Sequence, residues 1–378
     1  MNAEARARAH FDRGEQMWRD GSRSDAISEY RAAVRLAPGF LDAGIALGAA
    51  YNQQGEFEAA AAAYRRILNL DAGHTEATFG LASALRASGD YEQAEPYYER
   101  ALAMHPGPAE PYWELGFTRE MLGRKAAAIE AYEACLARDP DHGVARHLLD
   151  ALTGTTSARA PADYVAALFD DYAEDFERSM AEDLHYAVPG SIADKITEIC
   201  ETRRRIAKTP SFARVLDLGA GTGLTGAAIG HLAGELHGVD LSPKMLELAN
   251  RGGLYDRAFV ADMAAFLNHP PQGEYRGAFP NYDLIVSGDA LVYLGDLAPV
   301  FAGAAGRLNP GGWFLFTVEL LPEGAYALQS TGRYAHSTGY IRETASGAGF
   351  KLDSLDAITP RRDGTQNIAG LLAVFYKS

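Results

Sequence analysis

The sequence predicts two folded parts in one chain: an α-helical repeat solenoid, then an α/β unit built on a doubly wound sheet of seven strands. Three observations carry this. Glycine, alanine and tyrosine recur at a step of 34 residues through the first 150. After residue 163 that register is gone, and short apolar strands alternate with helical stretches. Four successive strands of the second part then carry an acid at or near their carboxyl ends: Asp217, Asp240, Asp262 and Asp289.

The bulk numbers fit that division. A chain of 378 residues is long for one domain, and 47% hydrophobic with 22% charged residues is ordinary for a soluble protein. The formal net charge of −15 argues against a nucleic-acid partner, since such partners are held by Lys and Arg on phosphates. Arg203, Arg204 and Arg205 read as the solvated end of an amphipathic helix. Cys135 and Cys200 fall in different parts and make neither a disulfide framework nor a zinc spacing, so no metal is expected. The start "MNAEARARAH" has no apolar core of a signal peptide, and no run approaches a membrane span. The expectation is a cytoplasmic, reducing location without a membrane.

The repeat is read position by position. Gly21, Gly55, Gly89 and Gly123 would sit in the turn between two helices, where a left-handed backbone is needed. Ala26, Ala60, Ala94 and Ala128 let the helices cross closely, and Tyr30, Tyr64, Tyr98 and Tyr132 fill the gap to the next unit. Pro38, Pro106 and Pro140 stop the second helix of three units, with Ala72 at the remaining place. The pattern resembles the tetratricopeptide repeat over residues 7 to 142. Gly44 departs from it, standing where an aromatic is typical. A further helix around "VARHLLDALTG" would cap the stack, giving a repeat domain over 1–153. The resemblance implies a concave surface that docks a protein or carrier partner. A fixed structural arm or a self-association surface is the other reading.

"TGTTSARAPAD" is rich in small polar residues and predicts a linker over 154–162. The second domain, 163–378, opens on helices over 163–200 and continues with "RVLDLG", "ELHGVDL", "RAFVAD", "YDLIVSGD" and "GWFLFTVEL" as strands. "FKLDSLDAI" and "GLLAVFYKS" close it as a hairpin-like pair. Ligands of such sheets bind beyond the carboxyl ends of the strands. The first strand turns through "VLDLGAGTG", with G-x-G-x-G spacing in place of the dinucleotide G-x-G-x-x-G. Asp217, two residues before Gly219, would repel a pyrophosphate and welcome an ammonium. S-adenosyl-L-methionine suits this, having no phosphate but an amine, a sulfonium, a ribose diol and an adenine. Asp217 can orient the loop or meet the amine. Asp240 is placed to accept both ribose hydroxyls, and Asp262 the adenine amine, beside the Met263 backbone N–H.

"VLDLGAGTG", "GVDLSPKMLELA" and "VADM" resemble the motifs of class I S-adenosylmethionine-dependent methyltransferases over about residues 163–378, and "LNPGGWFLFTVE" and Gly349-Phe350 match as well. The resemblance implies a Rossmann-like sheet that binds this cofactor. The implied binding set is Tyr172, Asp217, Gly219, Ala220, Gly221, Gly223, Leu224, Asp240, Leu241, Met245, Asp262, Met263 and Ser287. "LFDDYAEDFERSMAEDLHYAVP", with "GRYAHSTGYI" later, looks like bacterial methyltransferases fused to tetratricopeptide repeats, a group whose likeness gives architecture more than substrate.

In similar enzymes the helices before the first strand form a lid. Phe169, Tyr172, Ala173 and Phe176 recur at helical steps, with Tyr172 meeting the methionine end and the other aromatics packing on the sheet. His185 and Tyr186 follow as substrate candidates. "SGDALVYL" lacks the Asn-Pro-Pro-Tyr type sequence of enzymes acting on nucleobases or glutamine amides. Asp289 would lie near the sulfonium methyl, as proton acceptor, cofactor ligand or helix cap, with Tyr293 one turn on. Arg333 suggests an acidic group on the substrate, with Tyr334 beside it. His336 is the candidate general base by its near-neutral pKa. The function expected is methyl transfer to an O or N acceptor, on a docked protein or a small molecule. A cofactor-sensing adaptor without turnover is the alternative.

Overall fold

The computed structural model describes residues 2–173, 186–202, 211–269, 279–363 and 366–378, with only the backbone at 171, 172, 363 and 366. The chain folds as two compact units, Met1–Leu149 and Asp150–Ser378.

The first unit is a series of helical hairpins: α1 (Ala3–Arg19) with α2 (Arg23–Leu36), α3 (Leu41–Gln53) with α4 (Phe57–Leu70), α5 (Thr75–Ala87) with α6 (Tyr91–Met104), and α7 (Glu110–Met121) with α8 (Lys125–Leu136). α9 (Gly143–Thr153) follows. Gly21, Gly55, Gly89 and Gly123 turn each hairpin with φ of 83°, 75°, 80° and 72°, the left-handed region where only glycine is free of Cβ strain. The register has a packing cause. The four alanines and four tyrosines are all buried. Three of the rings press on a glycine of a first helix: a Cβ at Gly14, Gly48 or Gly116 would run into Tyr30, Tyr64 or Tyr132, while Ala82 stands at the equivalent place in the third unit. Three hydroxyls find carboxylate acceptors, Tyr30 on Glu15 at 2.6 Å, Tyr132 on Glu120 at 2.8 Å, and Tyr98 on Glu114. Ala72, at the place of the missing proline, offers its carbonyl to Arg100.

The second unit holds a sheet ordered β3-β2-β1-β4-β5-β11-β8. The strands are β1 (Phe212–Leu218), β2 (Ala233–Asp240), β3 (Arg257–Val260), β4 (Tyr282–Ser287), β5 (Leu308–Leu320), β8 (Phe350–Ile358) and β11 (Gly370–Lys377). The first five are parallel, and β11 runs antiparallel between β5 and β8. β5 shows why both faces need helices. Trp313 and Leu315 join one core with Ile192, Ile196 and Ile229, while Phe314, Phe316 and Val318 join the other with Phe266, Phe301 and Ile341.

Three features differ from expectation. The helix Val188–Thr202, read as part of a lid, buries Val188, Ile192, Ile196 and Ile199 in the sheet's core. "GRYAHSTGYI", read as a loop, holds β7 (Tyr334–His336), which pairs with β6 (Tyr326–Leu328) and with β5, and then a helix from Thr338. β9 (Arg362–Asp363) and β10 (Gln366–Asn367) form a small ribbon. The third is the linker. Residues 156–160 are bonded down: Ala160 N–H to Tyr293 O at 3.0 Å, and Gly295 and Asp296 N–H to Ala158 O at 2.9 and 2.8 Å. Among the described residues no helix is long and apolar enough to cross a membrane.

Candidate cofactor and substrate site

β1 ends in a bend whose glycines Gly219, Gly221 and Gly223 have φ of 72°, 54° and 90°. The Gly219 and Ala220 N–H groups donate to Val239 O at 2.8 and 3.0 Å, pinning the bend to β2. A Cβ at Gly219 would collide with Ala290. The Gly221 N–H donates to one Asp240 carboxylate oxygen at 2.8 Å and the Ser242 N–H to the other at 2.8 Å. Burial raises the Asp240 pKa, and the N–H groups of Ser242, Gly221 and Leu241 oppose that rise. Ser242 also caps its helix and donates to Asp170. At the end of β3, Asp262 caps the helix Met263–Asn268 by accepting from Ala265 N–H at 2.9 Å, and its second oxygen takes Arg159 Nη2 at 2.5 Å.

These strand ends form one wall of a cleft of about 820 Å3, counting space open to solvent, with Leu241, Ala261 and Met263 between the acids. Tyr186, Gly288, Asp289, Ala290, Tyr293 and Arg333 line the other end, and Arg159, Ala160, Val165, Phe169 and Leu294 complete the lining. Asp289 has φ 54°, the one positive value at a non-glycine among the described residues. Its N–H is held by Thr317 Oγ1 at 2.8 Å. Its carboxylate pairs with Arg333 at 3.1 Å and Arg361 at 3.3 Å, and Arg361 pairs with Glu319 at 2.5 Å. Two carboxylates thus face two guanidiniums, and the buried charges cancel. Burial acts to lower the Arg333 pKa, but Tyr293, Asp289 and Glu319 together hold it above the ordinary value. The Arg333 guanidinium lies 5.5 Å from the Tyr293 ring centre, and Phe169 meets that ring edge-on at 5.4 Å. Burial, then the charges of Asp289 and Asp217, keep the Tyr186 phenol neutral.

Ten of the expected residues share this cleft: Gly219, Gly221, Asp240, Leu241, Asp262, Met263, Tyr186, Asp289, Tyr293 and Arg333. Others stand behind it. Asp217 is fully buried, accepts the Tyr255 hydroxyl at 2.8 Å and braces the bend from inside. Ala220, Gly223 and Leu224 shape the turn into the next helix, where a Cβ at Gly223 would strike Leu254. Ser287 is buried, and its hydroxyl donates to Leu218 O at 2.8 Å and ties β4 to β1. Met245 is buried beneath its own helix. Tyr334 is buried against Ala160 and Leu328, 2.7 Å from Ser157 Oγ, so it does not face a substrate. His336 corrects the expected general base. It is fully buried on β7, its Nε2 lies 3.0 Å from Gly295 O, and burial pulls its pKa down to about 4. The side chain of Tyr172, and all of His185, lie outside the described residues.

Sequence reasoning missed Arg159, Glu319 and Arg361. Arg159 lay in what reads as a linker, Glu319 in an apolar strand, and Arg361 in "TPRRDG", which has no pattern to single it out. Among the described residues no group of three His, Cys, Asp or Glu side chains could hold a metal ion.

Comparison with known proteins bears on both units. A methyltransferase-domain family matches residues 216–314, and a tetratricopeptide-repeat family matches 11–75 and 79–143. Ubiquinone biosynthesis O-methyltransferase of Thiobacillus denitrificans is 30% identical over 120 residues, 32% of this chain and 50% of that protein. Methyltransferase-like protein 27 of Homo sapiens is 34% identical over 110 residues, 28% of this chain and 41% of that protein. The chain spans about half the length of the curated relatives it matches. A solved S-adenosylmethionine dependent methyltransferase from Mesorhizobium loti aligns at 21% identity over 43% of this chain and 90% of that one, with a TM-score of 0.33. Strand order, helical register and matched families coincide: residues 11–75 and 79–143 match tetratricopeptide repeats, and residues 216–314, within a sheet of the class I methyltransferase fold, match a methyltransferase domain.

Proposed function

We propose that the second unit binds S-adenosyl-L-methionine in the cleft and transfers its methyl group to an oxygen or nitrogen acceptor, while the repeats dock a protein or carrier partner. The observation that carries the reading is Asp240. Its carboxylate is fixed by two backbone N–H groups at the end of β2, beside a glycine bend and in line with Asp262. Both arginines that line the cleft are committed to carboxylates, Arg159 to Asp262 and Arg333 to Asp289, which leaves no free cation for a phosphate among the described lining residues. The residues therefore fit a cationic adenosyl group with a ribose diol. When bound, that group supplies a methyl on a sulfonium, already a good leaving group.

The chain's own part is then alignment and exclusion of water. Asp289 is gripped by two guanidiniums, so both of its oxygens are engaged in ion pairs, and its expected catalytic role becomes a positioning one. Arg333 spends its charge on Asp289, which weighs against an acidic group on the acceptor. Phe169, Tyr186 and Tyr293 offer that end an aromatic wall. The names of the partly covered relatives support oxygen as the acceptor atom. On the repeats, Val34, Leu41, Leu47, Ile67 and Leu70 line an apolar groove of about 760 Å3, with Gly44 where an aromatic is typical and Leu70 56% exposed. That groove supports docking of a bulky apolar side chain.

Calorimetric titration with S-adenosyl-L-methionine tests the reading. Asp240→Ala should weaken binding about ten- to a hundredfold, the worth of charge-assisted hydrogen bonds. Absence of binding to the unaltered protein, or equal binding by the variant, would refute it.

A further inference from the structure

We infer that Arg159, on the segment that joins the repeats to the sheet, is a cofactor-binding residue: it closes the purine end of the cleft and holds the Asp262 carboxylate for an exocyclic amine. The inference rests on the cofactor reading above and adds a residue to it that no motif supplies.

The first argument is that the segment is built into the site. Ala158 O accepts two N–H groups, from Gly295 and Asp296, and the Ala160 N–H donates to Tyr293 O. Arg159 itself bridges Leu294 in antiparallel fashion. Thr156 Oγ1 accepts from Leu328 N–H at 3.3 Å, and Ser157 Oγ lies 2.7 Å from the Tyr334 hydroxyl. These bonds fix the backbone on both sides of Arg159 without using its side chain. The side chain is therefore free of any docking duty.

The second argument is what that side chain does. It leaves the bonded backbone, lines the cleft and reaches Asp262, which lies 103 residues further along the chain. The other Asp262 oxygen is taken by the Ala265 N–H, so that Arg159 and the helix start together hold both oxygens of the carboxylate. As a stabilising pair it would be worth little, because the Arg159 side chain is 42% exposed and the Asp262 side chain 19%. A carboxylate oxygen has a second lone pair, so the oxygen that takes Arg159 still has room for an amine from the cleft side. The guanidinium presents its donors to that carboxylate in one plane. Its charge is balanced by Asp262, so it does not repel a cationic ligand. Leu241, Ala261 and Met263 give that corner apolar walls suited to a purine.

The test uses the full chain with two ligands, S-adenosyl-L-homocysteine and its deaminated form, S-inosyl-L-homocysteine, which lacks the exocyclic amine. The unaltered protein should prefer the adenosyl ligand. Arg159→Ala should weaken the adenosyl ligand by about tenfold, the loss of one charge-assisted hydrogen bond. It should leave the inosyl ligand within about twofold, so that the preference collapses. Arg159→Lys should restore part of it, since it keeps charge without the plane. Unchanged adenosyl binding in Arg159→Ala, or an equal loss for both ligands, overturns the inference. Failure of Asp240→Ala to weaken either ligand sinks the underlying cofactor reading instead, so the two failures are told apart. Melting of the unliganded variants checks that they remain folded.

Discussion

Asp217 is an acid sealed behind the glycine bend, with the Tyr255 hydroxyl and the Gly226 N–H as donors. Burial pushes its pKa up to about 7. The unfolded chain would have it near the ordinary ~3.9. A raised carboxyl pKa means that the folded state holds the extra proton between those values. The associated stability is fully present below about pH 4 and is lost as pH rises through 7, by about 4 kcal/mol at most. Asp217→Asn keeps an acceptor for Tyr255 and removes the titration. Its melting temperature relative to the unaltered protein should therefore rise from pH 5 to pH 8; parallel curves would show that Asp217 carries no such penalty. The comparison must be made at each pH because His237 and His336, both pulled down to about 4 by burial, act oppositely and lose stability as pH falls. That Asp240 and Asp262 line the cleft was legible in the sequence because clefts of such sheets open beyond the carboxyl ends of the strands. The places of Ser287, Met245, Tyr334 and His336 were not. Ser287 lies on a strand covered on both faces and Met245 on a helix packed against the sheet, so neighbours distant in sequence bury them, and the three residues of β7 are too few to show a period.

At the scale of the element, the bend between β1 and the helix Leu224–Ile229 separates two demands on glycine. Gly221 has φ 54° with open space where a Cβ would go, while Gly219 has φ 72° and faces Ala290 in the path of its Cβ. Gly221→Ala should cost only the left-handed strain, about 1 to 2 kcal/mol, with cofactor affinity reduced modestly. Gly219→Ala adds a collision with the loop that presents Asp289, so it should destabilise more and lose cofactor binding by at least about a hundredfold. Melting and calorimetry on the pair check the order; a milder Gly219 variant would contradict the packing described. The same logic explains which elements the sequence disclosed. The buried tyrosine repeats every 34 residues and meets a glycine in three of the four units, so helices α1 to α8 follow from one register. The seven longer strands are apolar or alternating runs bounded by turns. β6 and β7 are three residues each, and they form because β5 extends to Leu320 and offers an edge beyond β4.

At the scale of the whole molecule, the start of the second folding unit decides what a shortened chain can do. A polar, small-residue stretch reads as a linker because composition reports only the absence of a core pattern. It does not report backbone groups left waiting on a sheet. Here the N–H groups of Gly295, Asp296 and Leu328 and the carbonyl of Tyr293 are such groups, and residues 156–160 satisfy them. The same segment covers Val292, Tyr293, Leu328 and Tyr334 with Ala151 and Ala160. A chain beginning at Asp150 keeps all of this, whereas one beginning at Asp163 loses it. The loss amounts to several net hydrogen bonds at about 1 kcal/mol each, with newly exposed apolar surface in addition. For a unit of this size, each kcal/mol moves the melting temperature by about 2 to 4 °C. The chain from 163 should therefore melt about 10 °C or more below the chain from 150 and bind the adenosyl ligand more weakly, since Arg159 is gone. Calorimetric melting of the two shortened chains reads this directly. Equal melting temperatures would mean that the stretch before 163 is a tether after all and that the sheet unit is complete without it.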